Sequence, residues 1–193
     1  MIGMTHGNTP AGAMTGAPEH GTVSTSDDIT TLNGVDLETP FLRALFALPA
    51  RRVLDILDAL EPHDIHRSQH RVILNAVARC ARKQVDDGDE YKPVPFPVAV
   101  QLDLSRTGDL NHSHVRELLL DLTAGTTPVP ECWVVDLIAD LRRLRLRRAC
   151  VAAGEALVQA GRHGGDSDVT GVLRHLPALL AIARRAGIDL EVQ

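Results

Sequence analysis

Three histidines, His63, His66 and His70, stand within the run "EPHDIHRSQHRVILNA" at 61–76. At i, i+3 and i+7 on one helix they would share a face, and imidazole is the commonest side-chain metal ligand. A catalytic zinc helix also needs its glutamate, as in H-E-x-x-H, to take a proton from bound water. Between His66 and His70 stand Arg67, Ser68 and Gln69 instead. Pro62 resets the chain ahead of the cluster, and Asp64 or Ser68 is the natural cap of the helix that follows. His63 and His66 then precede that helix and only His70 lies on it, so no metal is expected. "HSH" at 112–114 is a weaker set, because neighbouring side chains diverge.

Other chemistries fail on spacing. A phosphate loop needs G-x-x-x-x-G-K-[ST], and the two lysines, Lys83 in "RKQ" and Lys92 in "YKP", have neither the preceding glycine nor the following hydroxyl. No G-x-S-x-G elbow is present. Asp86, Asp87, Asp89 and Glu90 form a solvated loop run. The sequence therefore points to no catalytic residue and no cofactor. "RRLRLRR" at 142–148 is open to two readings. Arg142, Arg143, Arg145, Arg147 and Arg148 form either a phosphate or acidic-partner surface, or an amphipathic helix pairing with Asp140 and Glu155. Their spread around the helix favours the second.

Charge narrows the partners. Residues 1–38 carry five acids and no lysine or arginine, and the rest of the 193-residue chain balances 20 basic against 20 acidic residues. A neutral body is not a basic nucleic-acid-binding domain. Only five aromatics are present (Phe41, Phe46, Tyr91, Phe96, Trp133), too few for a base-stacking platform. Cys80, Cys132 and Cys150, odd in number and set in apolar patterns, read as buried thiols of a reducing compartment. Neither a secretory signal nor an apolar run of membrane length is present, so a cytoplasmic protein is expected.

The elements that position these residues are helical throughout. Residues 1–37 are rich in Gly, Thr, Ser and Ala and are expected to be a disordered tail. Thr39 as cap and Pro40 at the first helical position open a helix with Phe41, Leu42, Leu45 and Leu48 on one side. Val53, Leu54, Ile56, Leu57 and Leu60 make a second, ended by Pro62. A third runs from Ser68 to Gln84 and buries Val72, Ile73, Ala76, Val77 and Cys80. Pro97 opens a fourth through Leu104. A fifth, capped by Asn111 or Ser113, has Val115, Leu118, Leu119 and Leu122 as its stripe and Gly125 as its stop. A long helix follows from Glu131 to about Ala160. After "GRHGGDSD", Ser167 or Asp168 caps a last helix to about Ala186, which Pro177 should kink. The fold class is all-α: a compact helical head over 38–126, a helical hairpin over 127–187, and a short tail at 188–193.

The succession of motifs resembles the N-terminal domain of bacterial replicative DNA helicases of the DnaB type. "LEPHDIHRSQHRVILNAVARC" is similar to the family's L-x-P-x-D-F-Y-x-x-x-H-x-x-I-x-x-A: Leu60, Pro62, Asp64, His70, Ile73 and Ala76 match, while Ile65 and His66 replace Phe and Tyr. "FLRALFALP" resembles L-L-G-A-L-L-x-x-P with Arg43 for its glycine, and "PVPFPVAVQLDLSRTGDL" resembles P-V-D-x-V-T-V…L…G-x-L with Pro95 for its Asp. The G-G-x-x-Y-L element is replaced by "NHSHVRELLL"; the segment from Thr127, with Arg148 and Gly154, is similar to the terminal hairpin. The resemblance spans roughly residues 38–186. It implies a non-catalytic domain that pairs through its hairpins, builds a ring collar, and meets primase and loader proteins. The RecA-like motor that follows it in the family is absent from this sequence.

The expected function is therefore protein–protein contact in DNA replication, with DNA binding by the arginine-rich helix as the alternative and a histidine metal enzyme a weaker one. Self-association is expected through two apolar stripes. Val134, Leu137, Ile138 and Leu141 form one; Val169, Val172, Leu173, Leu176, Leu179 and Leu180 form the other.

Overall fold

Phe41, Leu42 and Leu45 recur at helical spacing and are fully buried, so the first amphipathic segment folds against the rest of the head. The computed structural model describes residues 36–88, 96–124 and 130–188, and every regular element among them is helical. In order these are α1 (Glu38–Leu45), α2 (Ala50–Asp58), α3 (Ser68–Asp86), α4 (Phe96–Thr107), a 3-10 turn (Asp109–Asn111), α5 (Ser113–Ala124), α6 (Glu131–His163), α7 (Asp166–Leu173) and α8 (Leu176–Arg185).

The caps differ from expectation. Thr39 lies inside α1, and Asp36 does the capping: its carboxylate accepts the Glu38 backbone N–H at 3.1 Å and the Thr39 hydroxyl at 2.6 Å. Asp36 and Leu37 thus belong to the head, with Leu37 packed on the core. For α3, neither Asp64 nor Ser68 is the cap. The buried carboxylate of Glu38 accepts the backbone N–H groups of His66 (2.8 Å) and Arg67 (3.2 Å), so one helix start is satisfied by the side chain of another.

α3 is the central helix of the head, touching α1, α2, α4 and α5. Ile73, Ala76, Val77 and Ala81 are fully buried, and the alanines let neighbouring helices approach closely. Val72 and Cys80 are half-buried at the edge of that face. α4 adds Phe96, Val100 and Leu104; Asp103 ties it to α3 by accepting Arg79 Nε at 2.8 Å. Gly108, at φ +84°, ends α4 in a conformation that favours glycine. Val115, Leu119 and Leu122 of α5 complete the core. The expected stop at Gly125 lies outside the described residues.

α6 spans 33 residues, roughly 50 Å at the rise of an α-helix. Its first turns are a wall of the head: Val134, Ile138 and Leu141 lie in the same core as Phe41 and Ile73. Beyond Leu146 it becomes one arm of the hairpin, and α7 and α8 pack back along it. Head and hairpin therefore share α6, and the boundary expected at 127 lies outside the described residues. At Pro177 the returning arm is not merely kinked but divided into α7 and α8. Proline at 177 has no N–H for the Leu173 carbonyl, and the chain restarts with Ala178 and Leu179 donating to the His175 carbonyl. Asp168 holds the start of α7, accepting the Gly165 N–H at 2.9 Å. Among the thiols only Cys80 is half-buried; Cys132 and Cys150 are exposed, since they fall on the outer face of α6. No helix among the described residues is long and apolar enough to cross a membrane.

Candidate functional site

The loop between α2 and α3 is where head and hairpin are joined, and arginines make the joint. Asp64, fully buried, accepts the Glu61 backbone N–H at 2.8 Å and the Arg145 guanidinium at 3.0 Å. Glu61 accepts Arg145 from α6 and Arg185 from α8. Arg142 donates to the Ala59 carbonyl at 2.6 Å and Arg185 to the same oxygen at 3.2 Å; Arg148 lies 3.4 Å from the His63 carbonyl. Burial works against the charge of Arg145, but its bonds to Glu61 and Asp64 outweigh that and raise its pKa. The carbonyls of 59–64 face a loop with few backbone partners, and the planar guanidinium serves several at once.

The arginine run thus divides. Arg142, Arg145 and Arg148 point at the head, Arg143 pairs with Asp140 at 2.7 Å, and Arg147 is exposed. The pairing foreseen with Asp140 is present, at Arg143, whereas Arg142, Arg145 and Arg148 find acceptors 81 to 85 residues upstream. Arg185, which sequence reasoning left out, completes the cluster. Its only local signal is a basic residue in the last turn of a helix.

The histidines are dispersed. His63 is exposed, His66 half-buried and His70 buried in the core wall. No group of three or more His, Cys, Asp or Glu side chains among the described residues is arranged to hold a metal. Thr39 donates its hydroxyl to Asp36, so the 3.2 Å contact to His70 Nε2 is the imidazole N–H donating to Thr39. His70 Nδ1 faces Glu38 at 3.6 Å, too far for a hydrogen bond. Burial holds the His70 pKa below its ordinary 6.5, although Glu38 and Asp36 pull it upward. His66 is lowered too, by burial and then by Arg148. For a base with a lowered folded pKa, the unfolded chain binds more protons in the window between the two values. Stability is therefore whole above 6.5 and is lost as pH falls through that window. The melting temperature should drop as pH falls from neutral through 6.5, and His70→Gln should flatten the larger part of that slope. A profile that keeps its slope in the variant would remove His70 as the cause.

The remaining candidate surface is the hairpin. Here one expected stripe is corrected: Val134 and Leu141 are buried in the head core and present no surface to a partner, and Leu137 is half-buried against the same core. α6 turns that face inward because α1 lies across it. The second stripe is on the outside. Leu173 is 47% exposed and Leu176 36%, while Val169 and Leu180 are half-buried. Between α6 and the returning arm runs a groove of about 340 Å³ walled by Ala149, Ala153, Ala156, Val172, Leu176 and Leu179. The hairpin's own core is small, comprising Leu146, Ala183 and Ala186 with Leu179 and Ile182 at its edge. Trp133, 60% exposed, and Val135, 64% exposed, flank the buried stripe of Val134 and Ile138 on α6.

Among solved structures, the chain is similar to the N-terminal domain of DnaB helicase from Mycobacterium tuberculosis. The TM-score is 0.54 and the identity 23%, over 75% of this chain and 94% of that one. The shared fold is an all-α head continued into a helical hairpin. No protein-family model matches the chain, and no curated protein does.

Proposed function

We propose that this chain is a non-catalytic association module of the replicative-helicase N-domain kind, which pairs with a second copy through the outer face of its hairpin and contacts a helicase, primase or loader during DNA replication. The observation that supports it is the hairpin's incomplete burial. Leu173, Leu176 and the alanine-walled groove leave apolar surface in water on an arm whose own core is three residues with two at the edge. Apolar surface of this kind marks a place where another chain sits.

Pairing two hairpins across such a face buries about 1,600 Å² in a standard interface. DNA binding by the arginine-rich helix is disfavoured, because Arg142, Arg145 and Arg148 already spend donors on the head. Sedimentation of the pure chain at tens of micromolar tests the reading. A dimer is expected, reduced to monomer by Leu173→Asp with Leu176→Asp while the helical signal and melting temperature persist. A monomer in both proteins would remove self-association, and no co-purification with helicase, primase or loader would remove the replication role.

A further inference from the structure

We propose that the groove between α3 and α4 is a docking site for the acidic segment of this same chain that precedes Asp36, residues 24–35. The groove has a volume of about 410 Å³, with Arg79, Lys83 and Gln84 on one wall and Leu102 and Arg106 on the other. Two features select its ligand. Gln84 is 8% exposed, and neither its amide nitrogen nor its carbonyl oxygen has a hydrogen-bond partner among the described residues. A buried primary amide needs both an acceptor and a donor from its ligand. A simple anion supplies only the acceptor and an apolar group supplies neither. A peptide backbone, with its own N–H and C=O, supplies both.

The second feature is charge. Arg79, Lys83 and Arg106 line the groove against Asp87 and Asp103, and Asp103 is shared by both arginines. The rim therefore keeps a cationic excess, and Leu102 beside it is 67% exposed. The ligand is an acidic peptide with an apolar residue or two. The run "STSDDITTLNGV" at 24–35 has that chemistry: Asp27 and Asp28 with Ile29 and Leu32, in a stretch of 1–35 that holds no lysine or arginine.

Geometry lets it reach. Asp36 is pinned beside the start of α3, accepting Arg67 at 3.0 Å. From Ser68 to Lys83 the helix advances about 22 Å. The eight residues from Asp36 back to Asp28 extend to about 27 Å. A tether of that span presents the peptide at an effective concentration in the millimolar range, so weak contacts suffice to fill the groove.

Lys83 and Lys92 are the only lysines of the sequence, which makes the test selective. Carbodiimide joins a carboxylate to a lysine amine only where they already touch. Applied to the full chain, diluted until it sediments as a monomer, it should link Lys83 to Asp27 or Asp28, and Gln84→Leu should cut the yield several-fold. A second readout uses Cys80, half-buried in the groove wall. In a Cys132→Ser, Cys150→Ser chain, Asp27→Asn with Asp28→Asn should speed alkylation of Cys80 several-fold. No bond from Lys83 to the 24–35 segment, with a Cys80 rate indifferent to the two Asn changes, overturns the proposal. So does a bond formed only between differently labelled chains, which would assign the groove to a second copy.

Discussion

Asp64→Ala should destabilise the folded chain by about 3 kcal/mol, the low end for removing one partner of a buried ion pair, and lower the melting point by about 8 °C for a chain of this size. The carboxylate is wholly buried, closes the 61–64 turn through the Glu61 N–H, and meets Arg145, whose side chain is 15% exposed. Alanine leaves that guanidinium half-served in a site shielded from water, and the turn loses its acceptor. The loss stays at the low end because Glu61 still accepts Arg145. Asp64→Asn keeps an acceptor for the turn and should cost about half as much. If the pair is the cause, Asp64→Ala in an Arg145→Met background costs at least ~1 kcal/mol less than in the wild type. Denaturant titration of the four proteins measures this. Strictly additive costs would show that the joint is held by packing rather than by the guanidinium. The acid side has a related signature at Asp36. Burial opposes its charge, yet the Thr39 hydroxyl and Arg67 outweigh that and lower its pKa below 3.8. Its contribution is present above 3.8 and disappears as pH falls through the lowered value.

Leu141→Ala and Leu173→Ala should behave as opposites. Leu141 is fully buried among α1 and the head core, and truncating it leaves a cavity that costs about 3 kcal/mol. Leu173 is 47% exposed, and its truncation should change the stability of the monomer by less than about 0.5 kcal/mol while weakening the pairing of two chains. Both are leucines on the apolar stripe of a hairpin helix, so periodicity alone does not separate them. Melting at a concentration too low for pairing, with sedimentation at a high one, separates the two effects. Equal losses of stability would place Leu173 in a core that the described contacts do not contain.

The helices were legible because their signals are local. Spacing of 3.6 exposes the buried faces of α1, α3 and α5, proline and glycine mark ends, and each lies within a few residues of what it governs. The same holds for Pro177, whose missing N–H acts on its own helix. The order of motifs likewise carried the fold, since head and hairpin follow from that succession and the DnaB N-terminal domain shares them.

What only the tertiary structure decided is which face meets what. Glu38 reads as a first-turn acid of α1, yet its carboxylate serves the start of α3, 28 residues on. The five arginines of 142–148 look equivalent along one helix; three are drawn to a loop 81 to 85 residues upstream because α6 crosses it there. Val134 and Leu141 face the head while Leu173 and Leu176 face water. Helical periodicity reports that a face is apolar but not what covers it, because burial is a property of the neighbours that long-range packing brings. A hydrogen bond or ion pair between distant segments has no period to betray it.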